Sequence, residues 1–422
     1  MSKLNELNAA ESRLLLGTYD RYPLLFVRGE GVHLIDDSGN RYLDLLSGIG
    51  VNALGYAHPA IEMAIAEQSR KLIHTSNLYY HEGQAALALR LTEATGMDRA
   101  FFCNSGAEAN EAALKLARAY AKVKRSEGVP LGTKFLALEN SFHGRTMGSV
   151  ATTWKEKYRE PFDPVMPGVA FVRFNDVEDL KAKFSTEVCG VLVETIQGEG
   201  GICELSQEFF EAARELTRSA GALLIVDEIQ SGMGRTGRWC AYQHFGIQPD
   251  VTTLAKPIAA GIPLGTMLCT EEAARAIHAG MHGTTFGGGP LACAVALAVF
   301  DTIERELLLE HVTEVGTYFR EKLEDLAQRH TAVTAVRGRG LMLAVELESA
   351  ELAKYALAEM MQRKILINRT SETVLRFLPP YILEKQHVDR AIAALDAILS
   401  QQPAIAGSSP SSGGTNLGHQ AR

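Results

Sequence analysis

Two side chains of opposite charge follow two apolar segments that are typical of buried strands. Asp227 comes directly after the segment 222–226, and Lys256 comes directly after the segment 251–255. Ligands of open α/β sheets bind at the carboxyl ends of the strands, so both side chains are predicted to project toward a site. Two buried opposite charges cost free energy unless they are paired or used. A plain ion pair therefore remains open beside a catalytic role.

A catalytic role for this pair is suited to the cofactor pyridoxal phosphate (PLP). A lysine whose pKa is depressed condenses with the aldehyde of PLP, and an acidic partner keeps the pyridine nitrogen protonated. The cationic ring then draws electrons from the Cα–H bond of the substrate, while the displaced lysine moves the proton. We therefore predict that Lys256 carries PLP as a Schiff base and that Asp227 holds its pyridine nitrogen.

A candidate phosphate site lies at the start of a strongly periodic segment. Ser105 is followed three residues later by Glu108, which is the signature of a capping box, and small apolar residues then recur at helical spacing. The sequence predicts a helix that begins at about Gly106, with backbone N–H groups of Ser105, Gly106 and Ala107 at its positive end. A capped helix without a ligand remains the alternative.

The order of apolar segments predicts an α/β fold with a large domain over residues 56–290. There, β-branched apolar segments alternate with amphipathic ones, the pattern of a mainly parallel central sheet with helices on both faces. The strand candidates are 135–140, 168–174, 190–196, 222–229 and 251–256. Residues 1–55 and 291–400, with a long helix and then a strand over 336–347, are predicted to form a small α+β domain. Residues 401–422 are predicted to be a disordered tail.

Composition narrows the classes of function. The 422 residues carry a net charge of −8 and no block of Lys or Arg, so nucleic acid is not an expected partner. The N-terminus lacks the features of a signal peptide, and the longest apolar run, 291–300, is too short for a membrane span. The six cysteines form no CxxC pair, which is typical of reduced thiols. We expect a soluble cytoplasmic protein with no membrane partner and no metal site.

Six blocks of the sequence, in the same order, resemble the class-III aminotransferases. They are NSGAEANEAALKLAR (104–118), SFHGRT (141–146), ETIQGEGG (194–201), IVDEIQSGMGRTG (225–237), LAKPIAAGIPLG (254–265) and GTTFGGGPLAC (283–293). The resemblance runs from about Tyr19 to Pro380 and, within the class, is strongest to the acetylornithine aminotransferase subfamily. It implies the PLP fold-type I architecture and a homodimer whose active sites are shared across the interface.

The resemblance implies roles around the cofactor. Lys256 matches the Schiff-base lysine, Asp227 matches the pyridinium partner, and residues 105–107 match the phosphate cradle. Gln230 matches the residue that hydrogen-bonds the phenolic oxygen of PLP. Phe142 matches the aromatic residue that stacks on the ring.

Three further residues near these motifs receive an interpretation. Thr285 resembles the residue that reaches into the neighbouring subunit's site to bind phosphate, with a turn or cap threonine as the alternative. Its neighbour Thr284 is counted among the substrate-binding candidates. His143 is interpreted as a structural histidine, because Lys256 is available as the base.

Charged residues of the motifs match the substrate contacts of the family. Arg145 matches an arginine for a substrate carboxylate, which a planar guanidinium binds in bidentate fashion. Glu199 and Arg376 match a gated pair in which Glu199 covers Arg376 until the distal carboxylate of 2-oxoglutarate replaces it. Glu199 also argues against the aminomutases and dialkylglycine decarboxylases of the class.

Two apolar or aromatic positions and one proline complete the interpretation. Ile49 stands where ornithine aminotransferases carry a tyrosine for the free α-amino group, and an apolar residue there resembles the acetylornithine enzymes. Tyr19 either faces the substrate or is a core or loop tyrosine. Pro257 departs from the usual Gly or Ala and is expected to push Lys256 toward an extended backbone.

These observations predict a ping-pong transamination. N-acetylornithine, or a similar N-acylated diamino acid, gives its terminal amino group to PLP, and 2-oxoglutarate takes it up to become glutamate, in arginine or lysine biosynthesis. Ornithine and 4-aminobutyrate remain alternative amino donors of the same class. A PLP aminomutase or decarboxylase is the alternative from another enzyme class, because it uses the same cofactor machinery.

Overall fold

A seven-stranded sheet forms the centre of the computed structural model, which describes residues 3–401. In spatial order its strands are Arg99–Cys103, Gly265–Cys269, Val251–Leu254, Leu223–Asp227, Val188–Val193, Lys134–Leu138 and Val169–Val172. All neighbours pair in parallel except Gly265–Cys269, which is antiparallel to both of its neighbours. The predicted mainly parallel sheet is confirmed, and each of the five strand candidates overlaps one of its strands.

Burial on both faces explains why these strands are almost entirely apolar. Every residue of Val188–Val193 and of Leu223–Asp227 is buried. Such strands need helices on both faces, and the helices between them supply that cover. In this sheet Asp227 pairs with Thr253 in parallel register, so the chain beyond each of these two residues leaves the sheet at the same edge.

The helices of the described chain range from single turns to six turns. They are Lys3–Leu14, Ser47–Gly50, Pro59–Lys71, Glu82–Thr95, Gly106–Ser126, Met147–Ala151, Val177–Lys183, Gln207–Ala220, Glu271–Ala274, Pro290–Arg305, Leu308–Arg329, Ala350–Gln362 and Lys385–Ser400. Short 3₁₀ helices span Glu156–Tyr158, Glu160–Phe162, Ala241–His244 and Lys256–Ala259. Within residues 3–401, none of the helices has both the length and the apolar character that a membrane crossing requires.

Two four-stranded sheets lie outside the central one. The first contains Phe26–Glu30, His33–Asp36, Arg41–Asp44 and Ile365–Leu366; the second contains Val333–Arg339, Met342–Leu347, Val374–Phe377 and Asn368–Arg369. A further two-stranded ribbon joins Ile196–Gln197 to Cys203–Glu204. Because Ile365–Leu366 pairs with Arg41–Asp44, segments from both ends of the chain share one sheet. This pairing agrees with a small domain built from both termini, although its boundaries stay a prediction.

Several local predictions were wrong. The expected long helix is two helices, Pro290–Arg305 and Leu308–Arg329, because the backbone turns at Leu307 with a φ of 50°. The expected strand over 336–347 is a hairpin, and the tight turn between its strands uses Gly340 at a φ of 56°. A Cβ atom at Gly340 would lie 2.8 Å from the carbonyl oxygen of Arg235, so a glycine fits this close approach. The helix Lys3–Leu14 and the strand Gly265–Cys269 were not predicted. The predicted tail lies outside the described residues, apart from Gln401.

Candidate active site

Lys256 and Asp227 line one cavity of about 420 Å³ at the carboxyl edge of the central sheet. The cavity is formed by loops that follow four strands and by the start of one helix. Its walls consist of Val51, Asn104, Ser105, Gly106, Ala107, Phe142, His143, Gly144, Arg145, Glu194, Asp227, Ile229, Gln230, Ala255, Lys256, Gly261, Ile262, Pro263 and Leu264. The two residues that the sequence singled out first therefore share a site.

The helix Gly106–Ser126 begins at the wall of this cavity. The Ser105 hydroxyl accepts a hydrogen bond from the Glu108 N–H at 3.2 Å, as a capping residue does. The second half of the predicted capping box is wrong: the Glu108 carboxylate accepts from the backbone and side-chain nitrogens of Asn104, at 2.8 and 2.9 Å. Glu108 therefore leaves the N–H groups of Ser105, Gly106 and Ala107 available to an anion in the cavity.

Asp227 is 4% exposed and is held by three donors. Its Oδ2 atom accepts from Asn110 Nδ2 at 2.8 Å and lies 2.7 Å from His143 Nδ1. Its Oδ1 atom accepts from the Ile229 N–H at 3.0 Å. Three hydrogen bonds fix the orientation of this buried carboxyl group, so the arrangement suits a group that bonds to a ring nitrogen in the cavity.

Lys256 projects into the cavity from a strained backbone position. Its φ is 33°, and a short 3₁₀ helix begins at this residue, with the Ile258 N–H donating to the Ala255 carbonyl at 3.0 Å. The expected extended backbone was therefore wrong, because Pro257 fits the first turn of a helix rather than the end of a strand. Burial lowers the pKa of the Lys256 amine, although the charges of Glu199 and Asp227 oppose that shift. A neutral amine is the form that attacks an aldehyde.

Aromatic and cationic groups form another wall. The Phe142 backbone N–H donates to the Glu194 carboxylate at 3.0 Å, which holds the backbone of Phe142 in place. The guanidinium carbon of Arg145 lies 3.7 Å from the ring centre of Tyr158 and 5.6 Å from that of Phe142. No ion pair to Arg145 is formed by residues 3–401, and its side chain is exposed, so its charge is available to a ligand.

Glu199 and Arg376 meet beside the cavity. Arg376 is fully buried, and its Nη1 atom donates to Glu199 Oε1 at 2.6 Å, to Gln230 Oε1 at 3.0 Å and to the Gly198 carbonyl at 3.1 Å. Burial opposes the charge on Glu199, but the charge and hydrogen bond of Arg376, with the charges of Lys256 and Lys155, lower the pKa of that carboxyl group. Because Gln230 lines the cavity, this pair is one side chain away from it.

Besides Glu199 and Arg376, four more of the predicted site residues do not line the cavity of this chain. Ile49 is 42% exposed and lies two residues from Val51, which does line it. Tyr19 is 77% exposed and packs beside Arg21. Thr284 accepts a hydrogen bond from Asn104 Nδ2 at 3.0 Å. Thr285 and Thr284 lie on a loop at the surface, and Thr285 is exposed. Their roles stay predictions.

Comparison with known proteins decides the family. The model of the family "Aminotransferase class-III" matches residues 17–399. The chain belongs to this family. The chain is 46% identical to an acetylornithine aminotransferase of Methanocaldococcus jannaschii over 394 residues, which cover 93% of this chain and 97% of the relative. It is also 46% identical to an acetylornithine aminotransferase of Aquifex aeolicus over 386 residues, or 91% and 99% of the two chains.

A solved structure of related fold is the ornithine aminotransferase of Toxoplasma gondii, crystallised with oxidised glutathione and with partial occupancy of PLP at its active site. It superposes with a TM-score of 0.88 at 31% identity and covers 94% of each chain. This superposition covers nearly the whole chain and agrees with the fold that the motifs implied.

The structure adds residues of this class-III aminotransferase that sequence reasoning missed. Glu194, at the end of a buried strand, accepts from the N–H groups of Phe142 and Gly198, at 3.0 and 3.2 Å. Burial raises the pKa of Glu194 to about 7. Ile229 lines the cavity two residues after Asp227 and leaves no room for a Cβ atom at Gly106. The acidic end of a buried strand was a signal for Glu194, and it was used only for Asp227.

Proposed function

We propose that this chain is a PLP-dependent aminotransferase that transfers the terminal amino group of N-acetylornithine, or a similar N-acylated diamino acid, to 2-oxoglutarate. The observation that carries the proposal is the shared cavity of Lys256, Asp227 and the helix start at Gly106. An amine, a carboxylate and a set of free N–H groups are the partners that the aldehyde, the pyridine nitrogen and the phosphate of PLP require.

The residues present fit this cofactor. Ser105, Gly106 and Ala107 would hold the phosphate, for which the helix N-terminus supplies N–H donors. A Cβ atom at Gly106 would approach Ile229 to 2.8 Å, so a glycine keeps the cradle open at its narrowest point. Asp227 would hold the protonated ring nitrogen. When it is bound, PLP supplies an electron sink for the bond that breaks at the substrate carbon.

Lys256 would act as the covalent anchor and as the base. Burial lowers the pKa of its amine, which favours the neutral form that both tasks need. Once the substrate amine has taken the place of Lys256 on the cofactor, the free Lys256 amine would remove the proton from the substrate carbon that bears the amino group. It would then deliver that proton to the cofactor. The charges of Glu199 and Asp227 oppose this effect of burial and favour the protonated amine.

Arg145 and the pair of Glu199 with Arg376 would select the substrates. Arg145 has no anionic partner among the described residues and suits the α-carboxylate of the amino donor. While Glu199 covers Arg376, the far end of the donor faces no free positive charge. When 2-oxoglutarate binds, its distal carboxylate would replace Glu199 on Arg376, so two different substrates use one site in turn.

The proposed assembly is a homodimer with shared active sites in the cytoplasm. Thr285 lies outside the cavity of its own chain and is exposed, which fits a residue that serves the partner's phosphate site. Exposed apolar side chains lie on nearby segments, and a partner subunit would cover them: Ile73, Leu78, Tyr79, Tyr80 and Phe286. The six cysteines are all free, as expected for a protein of a reducing compartment.

A single-turnover experiment tests the reaction and the donor together. The purified PLP-loaded enzyme is mixed with N-acetylornithine, ornithine, N-succinyldiaminopimelate or 4-aminobutyrate without keto acid, and absorbance follows the bound cofactor. We expect N-acetylornithine to convert the cofactor from its aldehyde-derived form to pyridoxamine phosphate at least about tenfold faster than ornithine. Equal or faster conversion by ornithine would overturn the donor. Conversion by none of the four amines would overturn transamination.

Ornithine is the second candidate donor, because an ornithine aminotransferase shares the fold at a TM-score of 0.88. The position of Ile49 argues against it. An aliphatic side chain offers no hydrogen bond to a free α-ammonium group, whereas an acylated nitrogen does not carry that charge. The same absorbance experiment separates the two donors.

A further inference from the structure

Asn110 is a fully buried polar residue one turn into the helix that starts at the phosphate cradle. Its Nδ2 atom donates to Asp227 Oδ2 and to the His143 carbonyl oxygen, both at 2.8 Å. Its Oδ1 atom accepts from the Thr253 hydroxyl at 2.9 Å. One amide side chain thus bonds to three separate segments, and none of these bonds belongs to its own helix.

The orientation of this amide is determined by its partners. The Asp227 carboxylate and the His143 carbonyl are acceptors only, so both require the NH₂ side of Asn110. The Thr253 hydroxyl then donates to the remaining oxygen. A rotated amide would place its oxygen against two other oxygens in a buried position, which is unfavourable. Thr253 therefore helps to keep the donor side of Asn110 on Asp227.

The three segments carry different contacts of the proposed cofactor site. The helix of Asn110 presents the N–H groups of Gly106 and Ala107, and the segment of His143 presents Phe142. Asp227 ends its strand in register with Thr253 on the neighbouring strand, which leads to Lys256. The bonds of Asn110 therefore link the phosphate cradle, the aromatic wall and the pyridinium partner.

We propose that Asn110, oriented by Thr253, is a positioning residue that keeps the Asp227 carboxyl group aligned with the phosphate cradle. This inference rests on the proposed PLP-dependent function. Asp227 Oδ2 receives donors from Asn110 and His143, and Oδ1 receives one from Ile229, so removal of Asn110 leaves the buried carboxylate short of a donor. A buried carboxyl group that lacks a donor is free to rotate away from the orientation that the cofactor site requires.

The test uses matched variants of the full chain. Asn110→Leu removes both donor contacts at similar volume. Thr253→Val removes only the hydroxyl, and Thr253→Ser keeps it. Thr252→Val is the control, because Thr252 is a buried threonine of the same strand whose hydroxyl donates to the Val226 carbonyl at 3.1 Å and does not contact Asn110. Each apo-protein is titrated with PLP by absorbance, and the pH dependence of the bound cofactor's absorbance is recorded.

We expect Asn110→Leu to raise the Kd for PLP by about 10- to 100-fold and Thr253→Val to raise it by about two- to tenfold. Both should shift the pH midpoint of the cofactor's absorbance, and Thr253→Ser should behave as the wild type does. Unchanged Kd and pH midpoint in Thr253→Val and Asn110→Leu would overturn the role. So would equal effects of Thr252→Val and Thr253→Val, which indicate general destabilisation.

Failure of the proposed function gives a different result. If wild-type protein binds PLP and converts it with an amine while the variants match it, only the role of Asn110 is wrong. If the wild type takes up no PLP, the proposed function is wrong and the inference with it. Should Asn110→Leu fail to fold, the Thr253 and Thr252 variants still decide the question.

Discussion

Glu199 Oε1 lies 2.6 Å from Arg376 Nη1, although the two residues are 177 positions apart in the chain. The guanidinium of Arg376 is fully buried, and it also contacts Gln230 and the Gly198 carbonyl. An anionic partner stabilises a buried guanidinium, and the side chain of Glu199 is 30% exposed, so we propose that a ligand carboxylate takes its place. We propose that this exchange lets one site accept two different substrates in turn.

Removal of Arg376 should affect one half-reaction. We expect Arg376→Ala to raise the KM for 2-oxoglutarate by about tenfold or more, because a charge-assisted hydrogen bond to its distal carboxylate is lost. The KM for N-acetylornithine should change less. Steady-state kinetics with each substrate varied in turn measures both. Arg337→Ala is the control, since Arg337 pairs with Glu346 at 2.7 Å on a nearby strand. An unchanged KM for 2-oxoglutarate would contradict the proposed binding of its distal carboxylate by Arg376.

Replacement of Lys256 should abolish both covalent attachment and turnover. We expect Lys256→Ala to lower kcat by at least about 10⁴-fold, because the anchor and the base are lost together. Borohydride treatment of the PLP-loaded protein, followed by mass spectrometry, should find the cofactor fixed to the wild type only. Lys155→Ala, which removes a lysine that contacts the Thr370 carbonyl, serves as the control. Fixation of cofactor in Lys256→Ala would show that another lysine is the anchor.

The apolar residue at position 49 should set the preference for an acylated donor. We expect Ile49→Tyr to raise kcat/KM for ornithine relative to N-acetylornithine by about tenfold, since a phenolic hydroxyl offers the α-ammonium group a hydrogen bond. Ile49→Leu keeps an apolar side chain and should leave the ratio unchanged. Competition between the two donors, with products quantified, gives the ratio directly. If the tyrosine variant keeps the wild-type ratio, the position does not set specificity.

Stability should fall as the pH rises through neutrality, and Glu228 should contribute to that fall. Burial raises the pKa of Glu228 to about 7 in the folded protein, so the folded state binds a proton that the unfolded state has already released. This contribution is fully present below about pH 4.5 and is lost as the pH rises through 7. In denaturant titrations, the unfolding midpoint of Glu228→Gln should fall less between about pH 5 and about pH 8 than that of the wild type.

The matched control for this prediction is Glu187→Gln, because Glu187 is exposed and pairs with Lys134 at the surface. Its pH dependence should follow that of the wild type. Glu228 accepts from the Tyr242 N–H and the Ser231 hydroxyl, at 2.8 and 2.7 Å, and a glutamine is able to keep one acceptor and one donor there. A Glu228→Gln profile parallel to that of the wild type would contradict the assignment.

The sequence allowed the central sheet to be predicted because its signal is local. Strands buried on both faces are mostly apolar, and five largely apolar segments between residues 134 and 256 were recognised by that property. The strand Gly265–Cys269 was missed, since its glycine and threonine interrupt the apolar run. The hairpin over 333–347 was taken for one strand, because its turn consists of only Gly340 and one neighbour.

Parts of the site could also be predicted. Asp227 and Lys256 stand at the ends of strands, so the sheet itself brings them to one edge, and the cradle at Gly106 carries its own capping signal. Asn110 and Glu194 were not found. Glu194 stands at the end of a buried strand, a signal that was used only for Asp227, whereas Asn110 is distinguished from other helix residues only by the partners it meets in space.

The sequence by itself determined the class of fold, the family and the residues that match its motifs, because strand periodicity, helix caps and ordered motifs are properties of neighbouring positions. The tertiary structure alone decided which distant residues meet. The contact of Glu199 with Arg376, the left-handed backbone of Lys256 and the bonds of Asn110 to Asp227 and His143 all depend on packing between segments far apart in the chain. Such contacts are fixed by the burial of the whole core, and no local pattern records them.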